Sequence, residues 1–216
     1  MQPIATLELD SENGTITIDI TNPDVEDGFE ETLYNNIYRS VDDGEYELIY
    51  TEIPVNTSVT DYIPTIGGNN KYYIESVSSV PSINKSEIVE LDVLLIGKYF
   101  INGCANYSEI LPIIGDVEFS EEIFRHETLK QYEGRTYPVK YQGIGKTNKL
   151  RFSCDLPSEY YNNYVNIIEY VGNIFYRDFH GKHFSCSIQT PVLNRNGNSS
   201  FQFNCTIERV EAEVIT

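Results

Sequence analysis

The sequence predicts a mainly β protein built from two units, and three observations predict it. Apolar and polar residues alternate with a period of two over many short runs, and Gly, Asn and Asp clusters separate those runs. The composition adds 17 Tyr and 10 Phe with no Trp, and such rings favour pleated, half-buried strands. Charge is also divided unequally along the chain. At 40% hydrophobic and 22% charged residues, the whole is foldable rather than disordered.

Residues 1–95 hold 19 acidic and 3 basic residues, whereas residues 96–216 hold 14 and 12. That shift predicts two units, residues 1–95 and 96–216, joined near Leu95-Ile96-Gly97. No long Gly/Ser or Pro linker separates them, so close coupling is expected. The net charge of −18 repels phosphate backbones and anionic membranes, so neither nucleic acid nor membrane is an expected partner. Met1-Gln2-Pro3-Ile4 does not open a signal peptide, and no apolar run approaches the roughly 20 residues that span a bilayer. Synthesis in a cytosol is the expectation.

In the first half, Ile16, Ile18 and Ile20 take one face while Thr17 and Asp19 take the other. Asn13-Gly14 just before them tolerates positive φ and marks a tight turn. Further strands are predicted over Ile4–Leu9, Leu33–Ser40, Tyr46–Ile53, Ser58–Ile63, Lys71–Ser78 and Ile88–Leu94. Asp42-Asp43-Gly44 and Gly67-Gly68-Asn69-Asn70 punctuate them. That number of short strands in so short a length points to a two-sheet β-sandwich.

Over roughly residues 2–94 the chain resembles a fibronectin type III module. The carriers are Thr15–Pro23, Tyr34–Ser40, Gly44–Tyr50 and the run Tyr72-Tyr73-Ile74-Glu75-Ser76-Val77. The resemblance implies that the Tyr72 ring packs inward while its hydroxyl ties a loop. The family's second-strand tryptophan is missing, and Ile20 stands in its place. Such modules are spacers and binding platforms.

The second half predicts an antiparallel β domain, a curved sheet or small barrel, with one α-helix at about residues 158–171. Asp155 and Ser158 are both candidate N-caps, with Pro157 tolerated in the first turn. Tyr161, Tyr164, Ile168 and Val171 then repeat at helical spacing, flanked by Val165 and Ile167, and Gly172 supplies a stop. Strand alternation runs through Leu150–Cys154, Phe184–Ile188 and Phe201–Ile207, with a turn over Asn194-Arg195-Asn196-Gly197-Asn198. Asp116–Tyr132 reads either as a helix capped by Ser120-Glu121-Glu122 or as a strand. Gly143-Ile144-Gly145-Lys146-Thr147 reads as a turn between strands Tyr137–Tyr141 and Lys149–Cys154; its glycine spacing does not suit a phosphate loop.

From Leu94 to Val214 the chain is similar to the β-rich domains of tail-tip and baseplate proteins of long-tailed phages. Three segments carry the likeness: Gly134-Arg135-Thr136-Tyr137-Pro138-Val139, the run Ile174–Phe184 containing Asp178 and Gly181, and the ending Phe201–Val210. The resemblance implies a structural virion protein of a phage tail, made in the host cytoplasm and assembling with other tail proteins and with copies of itself in a ring. It also allows contact with a host surface. Gly134, Arg135, Pro138, Asp178 and Gly181 are then the candidate assembly residues. Pro138 marks an edge or bulge, and Arg135 could fork onto a carboxylate of a neighbour or of its own chain. The alternative is an adhesion module that binds carbohydrate or protein on a bacterial or phage surface.

No pattern indicates an enzyme, a metal or a cofactor. His180 and His183 with Asp178 flank Gly181 in a predicted hairpin turn, where chain reversal sets the spacing. His126 is the one other histidine, and neither a Gly-x-Ser-x-Gly elbow nor a His-Glu-x-x-His pair occurs. The acidic runs at Asp24–Glu31 and Asp42-Asp43 do not fit the calcium-loop pattern and read as solvated loops. Cys104, Cys154, Cys186 and Cys205 are widely spaced, and Cys154 and Cys205 share strand faces with Phe152 and Phe203, so free core thiols are expected.

Overall fold

The structure is a computed structural model that describes residues 2–24, 31–79, 82–134, 136–196 and 200–211; the side chains of residues 114–119, 125–126 and 141–146 are not described. The first half folds as a sandwich. β1 (Ile4–Asp10), β2 (Thr15–Thr21) and β5 (Ser58–Asp61) form one antiparallel sheet with β2 at its centre. The other sheet runs β4 (Glu47–Ile53), β3 (Thr32–Val41), β6 (Gly68–Ser78) and β7 (Ile83–Lys85). A further strand, β8 (Val89–Val93), pairs with the opening of β6.

Alternation decides which side chains meet between the sheets. Ile16, Ile18 and Ile20 of β2 face Ile37 of β3 and Tyr72 and Ile74 of β6 in one buried cluster. Asp61, at the end of β5, accepts hydrogen bonds at 2.8 Å from both Arg39 Nη1 and Tyr72 Oη, and at 3.0 Å from the Ile63 amide. Burial opposes the charge on Arg39, but the Asp61 carboxylate more than compensates and raises its pKa. Burial, and then the charge of Asp61, push the Tyr72 hydroxyl far above its usual range. Elsewhere between the sheets, Asn22, Asn35 and Ser76 satisfy one another through buried bonds of 2.6–3.0 Å. Each sheet is thus stitched to the other by polar groups as well as by apolar area.

In the second half, six strands pair antiparallel and close on themselves. The order is β9 (Tyr99–Gly103), β10 (Glu109–Lys130), β11 (Val139–Pro157), β14 (Ser200–Arg209), β13 (His183–Asn196) and β12 (Ile174–Asp178), which returns to β9. Leu111, Leu150, Phe152, Tyr176, Phe203 and Ile207 fill the interior.

Asp116–Lys130 resolves as strand, within β10, because Glu118 to Arg125 and Glu127 to Lys130 pair with β11; Gln131 and Tyr132 lie beyond its end. Gly143–Thr147 is not a turn. It lies inside β11, where Gln142 pairs with Glu127 and Lys146 with Arg125, so extra residues are absorbed as a bulge. Glycine there relaxes a strand rather than reversing it.

The helix α1 (Tyr161–Glu169) is shorter than the spacing predicts, and a single 3-10 turn at Ser158–Tyr160 precedes it. Neither Asp155 nor Ser158 caps it: Asp155 is taken by β11, and no side chain bonds the first turn. Tyr170 is already extended (ψ 128), so the helix ends before Gly172. Its buried face is also rotated. Ile167 is the fully buried residue, Tyr164 packs beside it, and Val171 is 97% exposed. The cause lies beneath the helix: Gly103 of β9 has no side chain, and a Cβ there would stand 3.2 Å from Ile167 Cγ1. Ile167, rather than Ile168, drops into the space this leaves.

Three cysteines, Cys154, Cys186 and Cys205, are buried free thiols, and Cys104 is half-buried with its Sγ 3.7 Å from the Asn166 carbonyl. Burial pushes Cys154 and Cys186 up to about 12, and Cys205 higher still. At neutral pH a thiol reagent should therefore label Cys104 alone in the folded protein and all four after unfolding. Peptide mass spectrometry counts them. Because folding raises these pKa values, the stability they lend is complete below the unfolded value of 9.0 and is lost as pH rises towards about 12. Denaturant midpoints should accordingly fall above about pH 9.

Candidate functional site

The two halves meet across an interior, not across a linker. Phe100 of β9 and Ile110 of β10 belong to the sandwich core rather than to the barrel core, and Phe179 packs against them. Arg177, near the end of β12, is fully buried at this joint. Its Nε donates to Asn102 Oδ1 at 3.0 Å, Nη1 to the carbonyls of Gly14 at 2.6 Å and Pro64 at 3.1 Å, and Nη2 to that of Asn13 at 3.3 Å. The Phe100 ring lies 5.1 Å from its Cζ. Asn102 in turn donates to the carbonyls of Tyr62 at 3.0 Å and Tyr107 at 3.1 Å. Burial pulls the Arg177 pKa down to about 9, against the attraction of Asp61, so the group stays charged at neutral pH.

Asp178 and Gly181 belong to this joint. Asp178 is buried, and it accepts bonds from Tyr176 Oη at 2.9 Å and from the amides of His180 at 2.9 Å and Lys182 at 3.0 Å. Those bonds shape the β12–β13 turn, in which Gly181 has φ 80. The turn then presses on the sandwich: a Cβ on Gly67 (φ 77) would lie 2.6 Å from the Phe179 carbonyl oxygen. The sequence expectation placed both residues at an assembly surface; the structure places Asp178 inside the molecule with its carboxylate committed. Gly67→Ala should cost about 2–3 kcal/mol, from strain plus the backbone contact. Gly97→Ala, also at positive φ (76) but with nothing within 4 Å, should cost only about 1 kcal/mol. Paired thermal melts compare the two.

Gly134 and Pro138 sit somewhere entirely different, in the turn of a projecting hairpin; Arg135 lies outside the described residues. β11 pairs with β14 from Lys149 to Pro157, and Lys149 lies opposite Glu122 on β10. Beyond that point, Ile123–Lys130 and Val139–Asn148 pair only with each other among the described residues. The ribbon extends roughly 25 Å at a strand's rise per residue. Its base is anchored: Lys182 Nζ at 2.5 Å and Asn148 Nδ2 at 3.0 Å bond Glu121, and Arg151 Nη1 lies 2.8 Å from Glu122. The Lys182 bond, then that of Asn148, holds the Glu121 carboxyl below its ordinary pKa.

Further out the ribbon carries apolar side chains in solvent. Ile123 is 62% exposed, Leu129 65% and Tyr137 79%, with Phe124 and Tyr132 also exposed. Gly134 (φ 81) turns in open space. A two-stranded ribbon is marginal by itself, and contiguous exposed apolar groups usually mark a contact surface.

Among the described residues, His180 and His183 do not converge on a site. His180 lies with its ring 3.9 Å from that of Phe179, and His183 Nδ1 is 3.1 Å from the Gly181 carbonyl oxygen. Among the described residues no group of three or more His, Cys, Asp or Glu is placed to hold a metal ion, and no helix is long and apolar enough to cross a membrane. The side chain of His126 lies outside the described set. Arg177 and Asn102 carry the joint yet raise no signal in the sequence, since a lone Arg on a short strand reads as solvent-facing. No family model matches the chain, and no curated protein or solved structure is significantly similar to it.

Proposed function

We propose that this chain is a structural virion protein of a phage tail tip or baseplate, working by assembly with copies of itself and with other tail proteins. One observation carries the reading: a barrel whose own edges are closed nevertheless extends a two-stranded ribbon with Ile123, Phe124, Leu129 and Tyr137 in solvent. Burying such side chains against a partner is favourable by roughly 25 cal/mol per Å² of apolar surface, before the costs of association. The buried joint at Arg177 supports the same reading, because a part that transmits force benefits from a hydrogen-bonded joint between its halves.

The two-sheet sandwich, with three strands in one sheet and five in the other, and the buried, bonded Tyr72 support a fibronectin type III-like first half. Its role is that of a spacer or brace, not a catalyst. Native mass spectrometry and electron microscopy of the purified full chain test the proposal: ring-shaped oligomers of fixed copy number are expected. Tight binding of a sugar by a chain that stays monomeric would reverse it in favour of an adhesion module.

A further inference from the structure

We propose that the projecting hairpin of one copy docks on the acidic sandwich of a second copy, alongside the free edge of β4. The inference rests on the assembly reading above and names the two surfaces that meet. Although the chain carries a net charge of −18, residues 123–148 hold five basic and two acidic residues. The sandwich half is the reverse, with 19 acidic and 3 basic. Within the arm Lys140 already pairs with Glu127 at 2.6 Å, yet the arm keeps a net positive charge. A net-positive arm and a net-negative body complement each other when two copies meet.

β4 is the matching surface for three reasons. It ends its sheet, so one row of its backbone donors and acceptors faces outward. Glu45, Glu47 and Glu52 are exposed on it or beside it, and no Lys or Arg interrupts Tyr46–Ile53. Leu48, 52% exposed, offers the apolar contact that Leu129 and Ile123 need. An extended ribbon laid on an edge strand gains ladder hydrogen bonds, with side-chain pairs setting the register. Burial of Leu48 with the arm's apolar residues then supplies affinity, and the charges supply orientation.

The test uses the full chain, mixing isotope-labelled and unlabelled copies. Zero-length cross-linking followed by peptide mass spectrometry should join Lys130 or Lys140 of one isotope to Glu45 or Glu47 of the other. The double variants Lys130→Glu/Lys140→Glu and Glu45→Lys/Glu47→Lys should each weaken self-association at least about tenfold at about 50 mM salt. Mixing the two variants should restore it. All four positions are exposed, so unchanged melting midpoints confirm that each variant folds. Oligomers that form with parental affinity in both variants would overturn this docking mode while leaving the assembly reading intact. A chain that stays monomeric at every concentration would overturn both.

Discussion

Replacing Arg177 with Met should lower the stability of the whole molecule by about 3–5 kcal/mol. The long apolar stem is retained, but the buried carbonyls of Gly14 and Pro64, the part-buried one of Asn13 and the buried Asn102 Oδ1 lose their donors. For a chain of this size the thermal midpoint should drop by roughly 10 °C. Scanning calorimetry carries a second readout. The parent should melt in one cooperative transition, because one guanidinium bonds both halves; the variant should separate into two, sandwich and barrel. Arg177→Lys keeps the charge yet cannot fork onto four acceptors, so it should fall between the two. A single transition at the parental midpoint in Arg177→Met would refute the role assigned to the joint.

The second large effect is expected at Asp61. Its carboxylate is buried and receives Arg39, Tyr72 and the Ile63 amide. Asp61→Ala strands a nearly buried guanidinium and a fully buried hydroxyl, for about 3–5 kcal/mol. Tyr72→Phe, which removes one donor and keeps the ring, should cost only about 1 kcal/mol. Urea titrations of both variants measure the ratio. If Tyr72→Phe proves as damaging as Asp61→Ala, the hydroxyl rather than the ion pair holds that end of the sandwich.

The sandwich was readable from the sequence because its strands follow local rules. Ile16, Ile18 and Ile20 alternate, turn residues bound each run, and the predicted ranges agree with the observed ones to within a few residues. Segments fixed by distant partners were less readable. Asp116–Tyr132 has a mixed pattern, and only pairing with β11 makes it strand as far as Lys130. The helix face turned by one position because of Gly103, some sixty residues earlier in the chain. Asp178 resembles a surface turn residue in one dimension, and only the approach of Gly67 to Phe179 shows that turn lying against the sandwich. The assembly residues divided accordingly: Gly134 and Pro138 stand on the projecting arm, Asp178 is buried, and Gly181 is half-buried in the turn that presses on the sandwich. Arg177 was missed since burial of a charge depends on backbone carbonyls from two other segments and on the Asn102 side chain.

The placement of Phe100 and Ile110 in the sandwich core has a consequence for biogenesis. As the chain leaves the ribosome, a sandwich complete to Leu95 still lacks two pieces of its own interior. It stays open on that side until the next fifteen or so residues emerge, and the guanidinium that locks it arrives later still. Maturation of the first half therefore waits on translation of the second, and a nascent chain stalled between them would present an unfilled apolar hollow to chaperones.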